Sequence, residues 1–205
     1  MEEQGTKEKI LNGAIELFMK YGVRSISMDD IARHLSVSKK TLYQHFIDKE
    51  DLVTLASAMH IEDNKKQYEA LNNTATNAID ELAKISRCLK KDIGELNPAL
   101  LFDLKKYHPR AWNVWLDHKN NYIRNSVSRN IKQGIQEGYF RPDVNPEILA
   151  LIRIESIPLA FDEQVFPHDK FNLAEVHLQI FDHFVYGLCT EKGRELYQQY
   201  REQNK

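Results

Sequence analysis

The sequence lacks the common signatures of catalysis, metal binding and membrane insertion. Its two cysteines, Cys88 and Cys189, stand far apart in helical patterns. They are expected to be reduced thiols rather than a disulfide or a sensor pair. No C-x-x-C, no G-x-S-x-G and no Walker-type glycine-rich loop occurs, so an enzyme would have only generic carboxylates behind it. The eight histidines give no metal signature, because neither His108 with His118 nor His177 with His183 shares a helix face at ligand spacing. No apolar run approaches the length of a membrane span, and the acidic N-terminus is not a signal peptide. The expectation is a soluble cytoplasmic protein with no membrane partner, no metal and no cofactor.

Charge of one sign is also missing. With 28 Lys and Arg against 30 Asp and Glu, a nonspecific polyanion binder is disfavoured. The asymmetry is local: between Arg33 and Lys49 four bases (Arg33, Lys39, Lys40, Lys49) face one acid, Asp48. No alternating strand pattern and no internal repeat occurs, and the chain reads as all-α.

That basic stretch holds two short helices. Ser27 is placed to cap the first, with Asp30 able to reach back. Ile31, Ala32 and Leu35 form its apolar face. Ser36-Val37-Ser38 breaks the pattern, and Ser38 can cap a second helix from Lys39 to about Phe46, with Leu42 and Phe46 inward. A helix this short is marginal alone, so its polar face is presented by something else. The pair reads as a helix-turn-helix whose second helix enters a DNA major groove. A preceding helix, capped at Thr6 after a frayed start, would be the prop: Ile10, Ala14, Leu17, Phe18 and Tyr21 follow the 3.6 period and Gly22 stops it.

Further helices follow: one capped by Asp48 and running from Lys49 to about Ala70, one over roughly 74–92, and a short one from Pro98 to Tyr107. A long one is expected from about Arg110 to Glu137, ended by Gly138. The helix capped by Asn145 is almost continuously apolar, and Pro158 must kink or interrupt it. Asn172 or Asp169 opens a last apolar helix, and the tail is a polar helix or disordered. These two C-terminal helices are either simply core or a four-helix interface between two copies; the interface is preferred, through Ile148, Ile152, Val176, Ile180, Phe181, Phe184 and Leu188.

The runs I10-x3-A14-x2-L17-F18-x2-Y21-G22, S27-M28-x2-I31-A32 and V37-S38-K39-x-T41-L42-Y43-x-H45-F46-x2-K49-x2-L52 resemble the tetracycline-repressor (TetR) family of transcriptional regulators. The resemblance covers roughly residues 7–55. It implies a three-helix DNA-binding domain at 1–48 and a larger helical effector-binding and dimerisation domain at 49–205. It further implies a homodimeric repressor on a double-stranded operator, released by a small-molecule effector. Carried over residue by residue, Ser27, Tyr43, His45 and Lys49 would hold phosphates, and Lys39, Lys40, Thr41 and Gln44 would face base edges. That division suits the chemistry of the side chains. The family usually has Gly where Ser36 stands and often at Lys40, so the turn is expected to be strained and the sequence preference altered.

The inducer pocket implied by the resemblance has weaker support. Phe102, Trp112, Trp115, Tyr122 and Arg153 are its candidates, though aromatics at helical spacing are commonly core. Arg153 interrupts the most apolar helix, and either a ligand carboxylate or an intersubunit ion pair would suit it. A helical protein–protein adaptor is the competing function. It would explain the apolar C-terminal helices but not the face from Lys39 to Lys49.

Overall fold

In the computed structural model, which describes residues 2–94 and 96–202, the chain is helical nearly throughout. In order come α1 (Glu2–Tyr21), α2 (Met28–His34), α3 (Lys39–His45), α4 (Lys49–Thr74), α5 (Ala78–Gly94), α6 (Leu100–Tyr107) and α7 (Pro109–Asp117). A π-helical turn, His118–Ile123, leads into α8 (Arg124–Gln136), followed by α9 (Pro146–Leu159), α10 (Leu173–Leu188) and α11 (Glu191–Glu202). Among the described residues the single strand-like feature is an isolated antiparallel bridge between Phe140 and Cys189.

The chain divides into two compact units, Met1–Lys65 with Glu95–His118, and Lys66–Gly94 with Lys119–Lys205. Packing therefore divides the chain elsewhere than after residue 48. The reason lies in the first unit's core, where Leu104 and Ala111 join Ile10, Ala14, Phe18, Ile31, Leu42, Phe46, Leu52 and Val53. Polar ties add to this: the Asn97 amide donates to the Met19 carbonyl at 2.6 Å, and the Arg24 amide to Asp103 Oδ2 at 2.9 Å. Glu50 accepts from the Arg110 amide at 3.0 Å and pairs with His108 Nδ1 at 2.6 Å. Gly13 permits the close crossing of α1 and α2, since a Cβ there would collide with the Leu35 side chain.

The second unit is built on Ala78, Ile79, Leu82, Ile131, Phe140, Phe181, Val185, Leu188 and Tyr197. Its buried acids are matched. Glu81 takes Arg129 Nη2 at 2.6 Å and Asn130 Nδ2 at 2.8 Å, and Asp80 takes Lys84 Nζ at 2.9 Å.

Several elements differ from the sequence expectation. α1 begins at Glu2, so Thr6 lies inside it rather than at its cap. The long helix expected from Arg110 to Glu137 is interrupted by the π turn. The extra residue of a π turn shifts the helix's facing, and Lys119 is carried inward to bond Glu155 at 2.6 Å. Pro158, expected to kink or interrupt α9, falls in its final turn, one residue before its end at Leu159. Of the two expected caps of α10, Asn172 is the one used.

Gly22 closes α1 at φ +80°, and Ser36 closes α2 at φ +54°. At α2 the Val37 amide donates to the Ala32 carbonyl and the Ser36 amide to the Arg33 carbonyl, a Schellman motif with Ser in the left-handed position that favours Gly. A side chain there costs about 1–2 kcal/mol, partly offset because glycine loses more entropy on folding. Ser36→Gly is expected to raise stability by about 0.5–1 kcal/mol, read as a higher urea midpoint. An unchanged or lower midpoint would show that the turn carries no strain.

Candidate nucleic-acid interface

Two caps and two anchors position α3. At α2, the Asp30 amide donates to Ser27 Oγ at 3.1 Å while Ser27 donates back to Asp30 Oδ2 from its amide at 3.0 Å and its hydroxyl at 2.5 Å. Those bonds, the hydroxyl's first, hold the Asp30 carboxyl below the usual carboxylate range. At α3, Ser38 Oγ accepts from the Thr41 amide at 3.0 Å. Leu42 and Phe46, 0% and 1% exposed, fix the helix to the core beneath it, and the Lys7 ammonium lies over the Phe46 ring at 5.8 Å.

On the outer side stand Lys39, Lys40, Tyr43 and Gln44, all exposed, with His45 half-buried against Phe46. Three of the residues expected to contact DNA also bond within the chain. Lys49 Nζ donates to the Val23 carbonyl at 2.7 Å, and burial lowers its pKa, so it ties α4 to the loop before α2. The Ser27 hydroxyl is engaged in the capping box. Thr41 Oγ1 lies 2.8 Å from Ser38 Oγ, within the α3 cap.

Sequence counting also overstated the positive charge. Lys39 Nζ pairs with Asp29 at 2.6 Å, and Arg33 lies 3.6 Å from Asp30. Among the described residues Lys40 is the base on this face without a protein partner. Asp29 was missed because it sits ten residues before Lys39, a pairing that only the angle between α2 and α3 creates. Ile47, 84% exposed beside Phe46, was also missed and carries no pattern signal.

The other expected sites fare unevenly. In the first unit Phe102 stands exposed with Lys106 over its ring at 5.2 Å, which suits solvent and not a cavity wall. Trp112 packs on the head's core. Trp115 is half-buried with an indole N–H that has no acceptor. In the second unit Tyr122 is half-buried and Arg153 fully so. An open polar groove of about 490 Å³ on α8 and α9, lined by residues such as Arg129, Lys132 and Glu147, includes none of the expected ligand residues. Val176, Phe181 and Leu188 fill the chain's own core and are removed from the expected interface. Ile148 and Ile152 stand exposed, and Ile180 and Phe184 are half-buried. No group of three or more metal-ligating side chains occurs among the described residues, nor does any helix long and apolar enough to cross a membrane.

A seven-residue helix, capped, anchored by two core side chains and turned polar face outward behind a prop helix, defines a helix-turn-helix DNA-binding transcriptional regulator. Residues 10–56 match the family model of bacterial regulatory proteins of the tetR family. It is 27% identical over 186 residues to the HTH-type transcriptional regulator YvaF of Bacillus subtilis, covering 90% of this chain and 96% of that one. It is 26% identical over 159 residues to the HTH-type transcriptional regulator UidR of Escherichia coli, covering 75% and 79%. A TetR-family transcriptional regulator from Agrobacterium tumefaciens superposes with a TM-score of 0.75 at 15% identity, over 92% of this chain and all of that one.

Because Asp29 competes with DNA for Lys39, Asp29→Asn is expected to raise duplex affinity several-fold at low salt. It should also steepen the slope of log K against log salt by about 1. Fluorescence anisotropy across a salt series checks this. An unaltered slope would mean that Lys39 stays off the phosphates.

Proposed function

We propose that this chain is a cytoplasmic, effector-responsive repressor without catalytic activity, acting as a homodimer on a (pseudo)palindromic double-stranded DNA operator. Residues 1–48 read the DNA and 49–205 sense the effector and dimerise. Lys40 and Gln44 meet base edges, joined by Lys39 once it leaves Asp29, while Tyr43 and His45 hold phosphates. Lys suits guanine O6 and N7, Gln suits adenine N6 and N7, and a phenol hydroxyl donates to phosphate.

The observation that carries the dimer is the outer face of α9, where Ile148, Leu151, Ile152 and Leu159 are 55%, 42%, 56% and 43% exposed. Four large aliphatic side chains along one helical face form a patch that a second copy can cover. Half-buried Ile180 and Phe184 supply its neighbouring edge on α10. An electrically balanced reading head needs that second copy, because one α3 offers few charges to a duplex. An adaptor function leaves the polar face of α3 unexplained.

α4 is one unbroken helix of 26 residues, about 39 Å long. In the proposed mechanism an effector against its C-terminal half tilts it, so that two α3 helices no longer meet grooves about 34–36 Å apart. Equal α3 separations in effector-bound and operator-bound crystals would remove this lever.

Ile148→Asp with Ile152→Asp is expected to give a folded monomer by analytical ultracentrifugation and a loss of operator affinity of at least about 100-fold. A double variant that remains dimeric would move the interface off α9. Tyr43→Phe should weaken binding to every operator variant alike, whereas Gln44→Ala should relax preference at one base pair by about 1–3 kcal/mol. Parallel losses for both substitutions across all gel-shift variants would overturn the assigned roles.

A further inference from the structure

Arg153, on α9 in the second unit, is a buried cation without an anion. It is 6% exposed. Its guanidinium donates to Ser156 Oγ at 3.0 Å, and that hydroxyl donates onward to the carbonyl of Arg153 itself at 2.6 Å. The Phe181 ring lies 5.1 Å from the guanidinium carbon. Among the described residues the group that acts on its charge is the Tyr68 phenol, not a carboxylate, and burial keeps that phenol neutral. Ser156 Oγ is a neutral acceptor, so the charge of the fork is left without a counter-ion.

The same unit matches its other buried charges closely. Glu81 has Arg129, Asp80 has Lys84 and Lys119 has Glu155, at 2.6, 2.9 and 2.6 Å. Arg153 is the exception. An unpaired charge held largely away from water is costly, so a chain that pairs the rest and leaves this one open has a position for an anion from outside.

A second unsatisfied group stands beside it. His177 is one helical turn before Phe181 on α10, is 3% exposed, and has no hydrogen-bond partner at Nε2. Phe161 meets its ring edge-on at 4.9 Å. Burial, reinforced by the nearby charge of Arg153, pushes its pKa down to about 4, so the ring is neutral at pH 7 and adds a donor, in the Nε2–H tautomer, without adding a second charge.

We propose that Arg153 and His177 form the recognition point for the carboxylate of an amphipathic small-molecule effector, with Phe161 and Phe181 against its apolar body. The proposal rests on the effector-responsive function above and names the chemical class of that effector. A guanidinium takes a carboxylate through paired N–H bonds, and the Nε2–H of His177 can meet a remaining lone pair. The flanking rings suit an apolar chain or aryl group in the manner of ligand sites generally. Tyr68 connects the point to the proposed lever, since it lies in the C-terminal half of α4.

The test uses the full-length protein and a panel of straight-chain and aryl carboxylates from four to sixteen carbons, each paired with its primary amide. In thermal-shift and calorimetric titrations, at least one acid is expected to raise Tm by several degrees while its amide binds at least about tenfold more weakly. Arg153→Met should abolish that response and raise the ligand-free Tm by roughly 2–5 °C, because an uncompensated charge is gone. Arg153→Lys, checked for helicity by circular dichroism, should keep a weakened response. Three results would each overturn the proposal: equal stabilisation by acid and amide, a response that survives in Arg153→Met, or no response to any acid. A neutral compound that shifts Tm and frees DNA in both forms would reject the carboxylate while leaving the effector-responsive function standing. Loss of salt-dependent duplex binding in the wild type would instead reject the regulator function itself.

Discussion

Everything this chain does with DNA depends on the burial of Leu42 and Phe46. α3 has seven residues, far below the length at which an isolated helix persists in water. Each of the two side chains contributes about 1.5–3 kcal/mol by leaving water, and together they hold the helix against α1 with its polar face outward. The Ser38 cap adds about 1 kcal/mol and fixes where the helix begins. The prop is fixed in its turn. At the crossing of α1 and α2, Gly13 leaves room for the Leu35 side chain, and the ties from Asn97, Asp103 and His108 brace the segment 96–118 onto the same core.

The electrostatics of this head follow a different logic from a basic patch. Two of its exposed bases are held by acids on α2, and Lys49 is turned inward to a carbonyl. Exposed pairs of this kind are worth about 0–1 kcal/mol, so DNA phosphates can displace them at small cost, but nonspecific attraction is reduced. A head tuned in this way gains from being doubled, which gives the apolar outer face of α9 its functional weight.

The second unit shows how a fold can keep a site open. Its buried acids lie against bases, yet among the described residues Arg153 has a hydroxyl and a ring but no carboxylate, and the Nε2 of His177 has no hydrogen-bond partner. The interior of a protein makes such groups costly, and a ligand is the simplest source of what is missing. Because Arg153 lies on the helix whose opposite side carries the exposed aliphatic patch, α9 touches both the recognition point and the patch.

The sequence by itself determined what short-range chemistry decides. The caps at Ser27, Ser38, Asp48 and Asn145 and the stop at Gly22 each depend on residues within one turn, and each was legible, while the unusual turn at Ser36 was signalled only by the family resemblance. So were Leu42 and Phe46 as anchors, since only one face of so short a helix can be buried. The tertiary structure alone decided which of several apolar faces turns inward. Periodicity identified α9 and α10 as apolar but could not tell Val176, Phe181 and Leu188, which fill the chain's own core, from Ile148 and Ile152, which do not. It could not show the π turn that swings Lys119 to Glu155, because one added residue leaves no compositional mark. Nor could it pair Lys39 with Asp29 or Lys49 with Val23, because those contacts depend on the angles at which helices meet, and an angle is set by the packing of residues far apart in the chain.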